Sequence, residues 1–463
     1  MNFLDRIRPL KEREAANLRE EYAVRAPVRR GPPVRDFAGA LRGGGRLIAE
    51  VKRCSPSDPH FRLEADVARI AAVYERSGAA AVSIVTDRDH FGTSLDDVPA
   101  VRAATRLPVI CKDFIVDEVQ VTAAWAAGAD AVLLIARMMT PARLAELLAA
   151  VRHRGLEALV ECHDEADVNA ALDAGAALVG LNNRDLNALT TDVGLTARLL
   201  PRLPDSVVRV AESGIDARAQ VVRLGALGAD AFLVGHALLK HPDPGRKLRQ
   251  LLGREAEDAP LLKVCGLTTP DDARAAVAAG ADLLGVILAP SPRQATADQV
   301  LAIRRAVPGA RLVGVFRDEK PGRVAEIAGA CGLDLLQLHG DESPAACRDL
   351  RNATGLPVIK ALEAGGDLVA RAAAYDTAYL LLDLPKGAGA PAPGTVDAGL
   401  AAAAAALRAL GRTVLLAGGL DSDNAAAALA ASPDGVDVCR GVECAPGRKD
   451  LDKLAVFGRK VHP

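Results

Sequence analysis

"RLIAEVKRCSPS", residues 46–57, decides how the chain is read. Leu47, Ile48, Ala49 and Val51 have the make-up of a short buried strand, yet Glu50 and Lys52 interrupt it. Side chains two apart in a strand share a face, so both charges point the same way as Ile48. Burying ions costs several kcal/mol each in desolvation unless a partner or a function offsets it. The stretch is therefore expected to sit where a strand ends at a working surface.

Apolar runs of the same kind recur along the chain. In the first half they cover 47–52, 81–86, 108–112, 131–136, 158–162, 178–182, 207–211 and 231–235. Each leads into a Gly, Asp, Asn or Ser turn and then an amphipathic Ala/Leu/Arg segment, at the roughly 20–35-residue spacing of a βα unit. After the charged joint "GREAEDAP" (253–260) the pattern restarts with runs at 261–265, 283–288, 311–316, 335–338, 357–360, 379–383, 414–417 and 435–439. Eight β-then-α units per half, with near-continuous apolar strands, predict an α/β fold of two tandem (β/α)8 TIM barrels. A doubly wound sheet would need fewer strands and a G-x-G-x-x-G turn after the first, which is missing. The expected domains are 1–254 and 260–463. Residues 1–45 form a helical extension packed over one end of the first barrel.

Bulk properties narrow the function. The chain has 463 residues, half of them hydrophobic, so two barrel cores are affordable, and aromatics make up only 3%. A net charge of −2 with mixed signs excludes the basic face of a nucleic-acid binder. The N-terminus has no apolar signal core, and the Ala run at 398–410 is too short and too weakly apolar to span a bilayer. The eight cysteines show no C-x-x-C and no zinc-ligand spacing. The expectation is a cytoplasmic monomer that needs no metal or cofactor and has small phosphorylated substrates, with no membrane or nucleic-acid partner.

In such barrels chemistry is done where strands end. The first half places Glu50, Lys52, Asp87, Lys112, Arg137, Glu161, Asn182 with Arg184, Glu212 with Ser213, and Gly235 there. Charges within or directly after an apolar strand are partly desolvated and perturb one another, which suits them to proton transfer. "AESGI" (211–215) and "LVGHAL" (233–238) put small residues at the ends of strands seven and eight, where backbone N–H groups bind phosphate in this architecture.

"IAEVKRCSPS", "VICKDFIVD", "LVECHDEADV", "GLNNRDL" and "VAESGI", in that order, resemble indole-3-glycerol-phosphate synthases over most of residues 1–250. The resemblance implies a decarboxylating ring closure of 1-(2-carboxyphenylamino)-1-deoxyribulose 5-phosphate. By that resemblance Lys112 is a general acid and Glu161 its partner in proton removal and dehydration. Lys52 binds the substrate carboxylate and is a second candidate for delivering a proton, and Glu50 orients the lysines. Ser55, Asn182 and Arg184 contact substrate, and Ser213, Gly214 and Gly235 its phosphate. Which lysine donates in which step stays open. Two departures are "SPSDPHF" after the first strand and His236 at strand eight.

The second half ends its strands with Cys265, Pro290 and Arg293, Phe316 and Arg317, His339, Lys360, Asp383, Gly418 and Gly419, and Arg440 with Glu443. A thiol at a barrel mouth beside a turn glycine suits acid/base or nucleophilic work, and Asp383 closes the unbroken run "YLLLD". "KVCGLT", "SPR", "VGVFRD", "QLHGDE", "LLAGGL" and "VCRGVE" resemble phosphoribosylanthranilate isomerases over about 260–463. The implied reaction is an Amadori rearrangement of N-(5-phosphoribosyl)anthranilate, whose product the first barrel would consume. By carry-over Asp383 is the general acid, Cys265 the general base and Arg293 the anthranilate-carboxylate ligand. His339, Gly418, Gly419, Arg440 and Gly441 also bind substrate. "LPKGAGAPAPGTVD" after Asp383, and Cys439 with Arg440, depart from that family. They leave two alternatives: a second barrel kept as a structural or ligand-sensing module, and a related sugar-phosphate isomerase with an aspartate pair at strands one and five.

Overall fold

The computed structural model describes residues 3–29, 31–55, 66–185, 191–241, 243–255, 260–385, 387, 392 and 394–462. Its chain divides into two compact units, Met1–Glu255 and Ala256–Pro463.

In the first unit eight parallel strands close into a barrel in chain order. They are β1 (Arg46–Val51), β2 (Ala81–Val85), β3 (Val109–Lys112), β4 (Ala131–Ile135), β5 (Glu157–Cys162), β6 (Leu178–Asn182), β7 (Val208–Glu212) and β8 (Ala231–Val234), with β8 pairing back on β1. Alternation along each strand divides its side chains. Leu47, Ala49 and Val51 pack outward among the surrounding helices. Ile48 packs inward with Ile110, Leu133, Leu159, Val210 and Leu233. Glu50 and Lys52 continue that inward face toward the C-terminal end of the barrel.

Local chemistry starts the helices and ties the strands. Asp66, Thr140 and Asp164 accept the first N–H groups of the helices they precede, each worth about 1 kcal/mol. Five turns end in an aspartate whose carboxylate accepts an N–H from the start of the preceding strand: Asp130 from Val109, Asp230 from Arg209, Asp282 from Leu262, Asp334 from Leu312 and Asp434 from Val414.

The N-terminal extension does not cover one end of the barrel, as its sequence led us to expect; it reaches both. Within helix α2 (Phe37–Leu41), Phe37 and Leu41 are buried against the barrel interior. Ala38 N–H donates to Glu157 at the start of β5, so this helix plugs the N-terminal end. Helix α1 (Phe3–Val24) lies at the other end. There Lys11 pairs with Asp87 at 3.0 Å and Asp113 at 2.8 Å, just after β2 and β3, and Arg8 bonds the Met138 carbonyl after β4.

The second unit repeats the plan with β9 (Leu261–Val264), β10 (Leu283–Ile287), β11 (Arg311–Phe316), β12 (Leu335–Leu338), β13 (Val358–Glu363), β14 (Tyr379–Asp383), β15 (Val414–Leu416) and β16 (Gly435–Val438), closed by β16 on β9. Leu261, Val313, Leu335, Ile359, Leu381 and Leu415 fill the interior. Strand β13 runs three residues past the end expected from sequence. Lys360 thus lies within the wall, buried and paired with Glu342 at 2.7 Å, rather than at the mouth. Among the described residues no helix is long and apolar enough to cross a membrane.

Candidate active sites

Four ionisable side chains of the first mouth come from alternate strands: Glu50 on β1, Lys112 on β3, Glu161 on β5 and Glu212 on β7. Alternate strands contribute to one layer of a barrel interior, which brings the four to a common level. Lys112 Nζ lies 3.5 Å from Glu212 Oε2, 3.6 Å from Glu161 Oε2 and 3.8 Å from Glu50 Oε2. Lys52 Nζ donates to Glu50 Oε1 at 2.6 Å, so Glu50 touches both lysines. Glycines leave room for the carboxylates. A Cβ at Gly235 would fall 2.3 Å from Glu50 Oε1, and one at Gly180 would fall 2.0 Å from Glu212 Oε1.

Charge is distributed unevenly in this cluster. Burial pushes the Glu50 carboxyl up, but Lys52 and Lys112 outweigh it and hold it below the usual carboxylate value. Glu212, wholly buried, is pushed up to about 8 by burial; Lys112 opposes the rise, and Glu161 and Glu50 add to it. Burial also works against the Lys112 charge, yet Glu212, Glu161 and Glu50 together hold that ammonium above its ordinary value. Near neutral pH, then, Lys112 is charged and Glu212 carries a proton.

Glu50, Lys52, Lys112 and Glu161 line a cavity of about 260 Å³. Phe3, Phe91, Phe114, Leu133 and Leu233 give it an apolar wall, and Phe3 belongs to α1. Ser55, Asn182, Arg184, Ser213, Gly214 and Gly235 line the same cavity, so every expected residue of the first site converges on it. Asn182 Oδ1 accepts the Arg184 N–H at 3.0 Å. Ser213 and Gly214 are consecutive left-handed residues, with φ of 65° and 72°. His236 also reaches the lining. The "SPSDPHF" departure falls almost wholly outside the described residues, as does the last residue of "GLNNRDL".

Glu212 was named among the strand-end charges, just past the run 207–211, but given no role. Strand β7 ends one residue later than expected, at Glu212 itself, so its side chain points inward. Gly180 inside an apolar strand was the available signal, since a strand glycine marks a close approach.

In the second mouth Cys265 follows the end of β9 and is buried. A hydrogen bond from Cys439 lowers its thiol, burial opposes this, and Lys263 lowers it further, to about 7. Asp383 ends β14, where its Oδ1 accepts the Leu384 N–H at 2.8 Å and its Oδ2 lies 3.6 Å from His339 Nε2. Burial, then the charge of Asp437, pushes this carboxyl up to about 6 against the Leu384 N–H and Arg440. The Arg293 guanidinium is held by Glu443 through contacts of 2.7–3.0 Å, and Lys449 approaches the same carboxylate at 3.2 Å. Gly418 and Gly419, just past β15, both have positive φ, 93° and 73°, a turn that only glycine forms without strain. Arg440 and Gly441 lie in a single helical turn after β16, with Gly441 against the Leu420 carbonyl. Most of the "PKGAGAPAPG" loop lies outside the described residues. Among the described residues no group of three His, Cys, Asp or Glu side chains is placed to hold a metal ion.

Fold and mouths together define a tandem pair of β/α-barrel enzymes, each with ionisable side chains gathered at its strand ends. Residues 4–251 match the family model "Indole-3-glycerol phosphate synthase", and residues 262–460 match "N-(5'phosphoribosyl)anthranilate (PRA) isomerase". "Tryptophan biosynthesis protein TrpCF" of Salmonella typhi is 36% identical over 430 residues, covering 92% of this chain and 91% of its own. "Indole-3-glycerol phosphate synthase 2" of Streptomyces coelicolor is 46% identical over 237 residues, 51% of this chain and 92% of its own. A solved phosphoribosyl anthranilate isomerase from Thermus thermophilus is 38% identical, covering 43% of this chain and 98% of that one with a TM-score of 0.39. The chain belongs to the family of bifunctional tryptophan-biosynthesis proteins that join an indole-3-glycerol phosphate synthase to a phosphoribosylanthranilate isomerase.

Proposed function

We propose that each mouth runs one proton-transfer reaction and that the second barrel makes what the first consumes. The second barrel isomerises N-(5-phosphoribosyl)anthranilate to 1-(2-carboxyphenylamino)-1-deoxyribulose 5-phosphate. Asp383 gives a proton to the furanose ring oxygen as the ring opens, and the Cys265 thiolate takes the C2 proton. Gly418, Gly419, Arg440 and Gly441 bind phosphate, while Arg293 and His339 hold the rest of the substrate. In the first barrel that product closes to indole-3-glycerol phosphate with loss of CO2 and water. Lys112 polarises and protonates the ketone oxygen while the aryl carbon that bears the carboxylate attacks it. Loss of CO2 restores the aromatic ring, and Glu161 takes the C1 proton as the new hydroxyl leaves as water. Glu212 stores a proton beside Lys112, Glu50 holds both lysines and Lys52 takes the substrate carboxylate. Ser55, Asn182 and Arg184 contact the substrate, whose phosphate sits at Ser213, Gly214 and Gly235.

The observation that carries this reading is the caged Lys112 ammonium, within 3.8 Å of three carboxylates in an apolar-walled cavity. For the second barrel, a thiol shifted down and a carboxyl shifted up favour catalysis over a purely structural module. Cys265 and the wall residue Lys360 stand where the sugar-phosphate alternative needs two aspartates. The low net charge and eight free thiols support a cytoplasmic protein with no nucleic-acid partner.

The test assays the two reactions separately in the wild type, Lys112→Ala and Cys265→Ala. Each variant should lose one reaction by about 100-fold or more and keep the other. Unchanged isomerisation in Cys265→Ala would remove the thiol from the mechanism. A wild type without isomerisation would make the second barrel a module of another kind.

A further inference from the structure

Lys263 is buried and Asp437 half-buried, and neither reaction step described above uses them. They face each other in register across the seam where β9 meets β16, with Lys263 Nζ 2.8 Å from Asp437 Oδ1. The Lys263 side chain is fully enclosed, and only a small part of the Asp437 side chain is exposed. Such a pair adds little net stability, because desolvating two ions offsets most of their attraction. Its place in the barrel points to another use. Alternation along β9 puts Lys263 on the inward face directly below Cys265, close enough for the two charges to act on each other. On β16 the same alternation puts Asp437 below Cys439, and the Asp437 charge reaches Asp383.

We propose that the Lys263–Asp437 pair is a positioning device for the isomerisation, its ammonium stabilising the Cys265 thiolate and its carboxylate favouring protonated Asp383. The proposal rests on the reading of Cys265 as base and Asp383 as acid. That reaction needs a deprotonated thiol and a protonated carboxyl in one pocket at one moment. An ordinary carboxyl loses its proton about four to five pH units before an ordinary thiol does, so unassisted groups would almost never hold that combination. In this mouth the gap has closed, with Asp383 near 6 and Cys265 near 7. Burial of Asp383 and the Cys439 hydrogen bond to Cys265 are the largest contributions. The two ends of the ion pair each add in the required sense, and Lys263 outweighs Asp437 at the sulfur. Lys449 and Arg293 also face the sulfur, whereas Arg440, Glu363 and His339 face Asp383. Asp437 acts on both titrations, and Lys263 is its partner.

The experiment follows the pH dependence of Cys265 alkylation by iodoacetamide in the full chain, read by mass spectrometry of its peptide, alongside the isomerase kcat/KM profile. Lys263→Met should move the Cys265 midpoint up by about one unit and lower kcat/KM about tenfold or more. Asp437→Asn should move that midpoint down and shift the Asp383 limb of the rate profile to lower pH. Opposite shifts from two neighbouring substitutions are not produced by general loosening of the barrel. Lys263→Met/Asp437→Leu replaces the pair with apolar side chains of similar size, which keeps the fold, and should still lose about tenfold in kcat/KM. Unmoved midpoints, shifts of the same sign, or a double variant as active as the wild type would each overturn the proposal. Alkylation needs no turnover, so isomerisation surviving in Cys265→Ala would defeat the assignment of the base without altering these midpoints.

Discussion

Strand β1 presents Glu50 and Lys52 inward at positions two apart, and strand β9 presents Lys263 and Cys265 in the same relation. The first mouth answers burial with numbers. Two ammonium groups stand among three carboxylates, and the surplus negative charge settles as a proton on Glu212. The second mouth has one enclosed ion pair below a thiol and a carboxyl that titrate near each other. A bond-forming ring closure has charge to stabilise at several atoms, whereas an isomerisation needs one proton added and one removed. One strand position serves both, because the barrel fixes where a side chain points and leaves its chemistry free.

The widest break between the mouths should come from Asp383→Asn. Isomerisation should fall by about 100- to 10,000-fold, with the synthase rate of the same chain unchanged; a large loss of both activities would show that the mouths are not independent. Glu212→Gln comes next. It keeps a neutral side chain but removes the site that gains and loses a proton near 8, so the synthase should lose about 100-fold and any limb near pH 8 in its rate profile should vanish. Isomerase profiles should stay the same.

Lys11→Met sharpens the comparison by stability, since it leaves buried Asp87 and half-buried Asp113 without their ammonium. Breaking a buried pair by removing one partner costs about 3 kcal/mol or more. The chain's one tryptophan, Trp125, lies in the first unit, so denaturant unfolding followed by its fluorescence reads that barrel. An unmoved midpoint would mean that α1 is not anchored by Lys11.

The smallest effect is in the isomerase pH profile of the wild type. Below about 6 Asp383 holds its proton but Cys265 holds one too; above about 7 the thiolate has formed but Asp383 is ionised. Rate should therefore peak between about 6 and 7 and decline several-fold per unit on either side. A profile flat from pH 5 to 9 would remove one of the two groups from the rate-determining step.

All sixteen barrel strands were legible, and in the described residues most boundaries fall within one residue of the runs read from sequence. Strand β13 is the exception: Ala361 and Leu362 extend it to Glu363, and the stop expected at Lys360 overlooked them. Every residue given a role in the first mouth by resemblance lines its cavity, whereas Asp87, Arg137 and Glu212, also read at strand ends, do not. Glu212 was noted at the end of strand seven but given no role, because one residue of strand length separates a loop carboxylate from an enclosed one. Lys263 escaped although it obeys the rule that exposed Glu50 and Lys52, for a lysine two residues before Cys265 shares its face. The reach of α1 over the mouth, which supplies Phe3 to the cavity, has no local signal.

What the sequence determined by itself is periodic: two sets of eight strands, which face of each is inward, and which charges stand near the C-terminal ends. Those follow from alternation at period two and from turn chemistry, both local to a few residues. Only the closed barrels decided which groups meet. Lys112 finds Glu212 because β3 and β7 contribute to one interior layer, and Lys263 finds Asp437 because β16 returns to pair with β9, 174 residues away. Proton affinity depends on those neighbours and on exclusion of water, quantities that exist only once the ring of strands is complete.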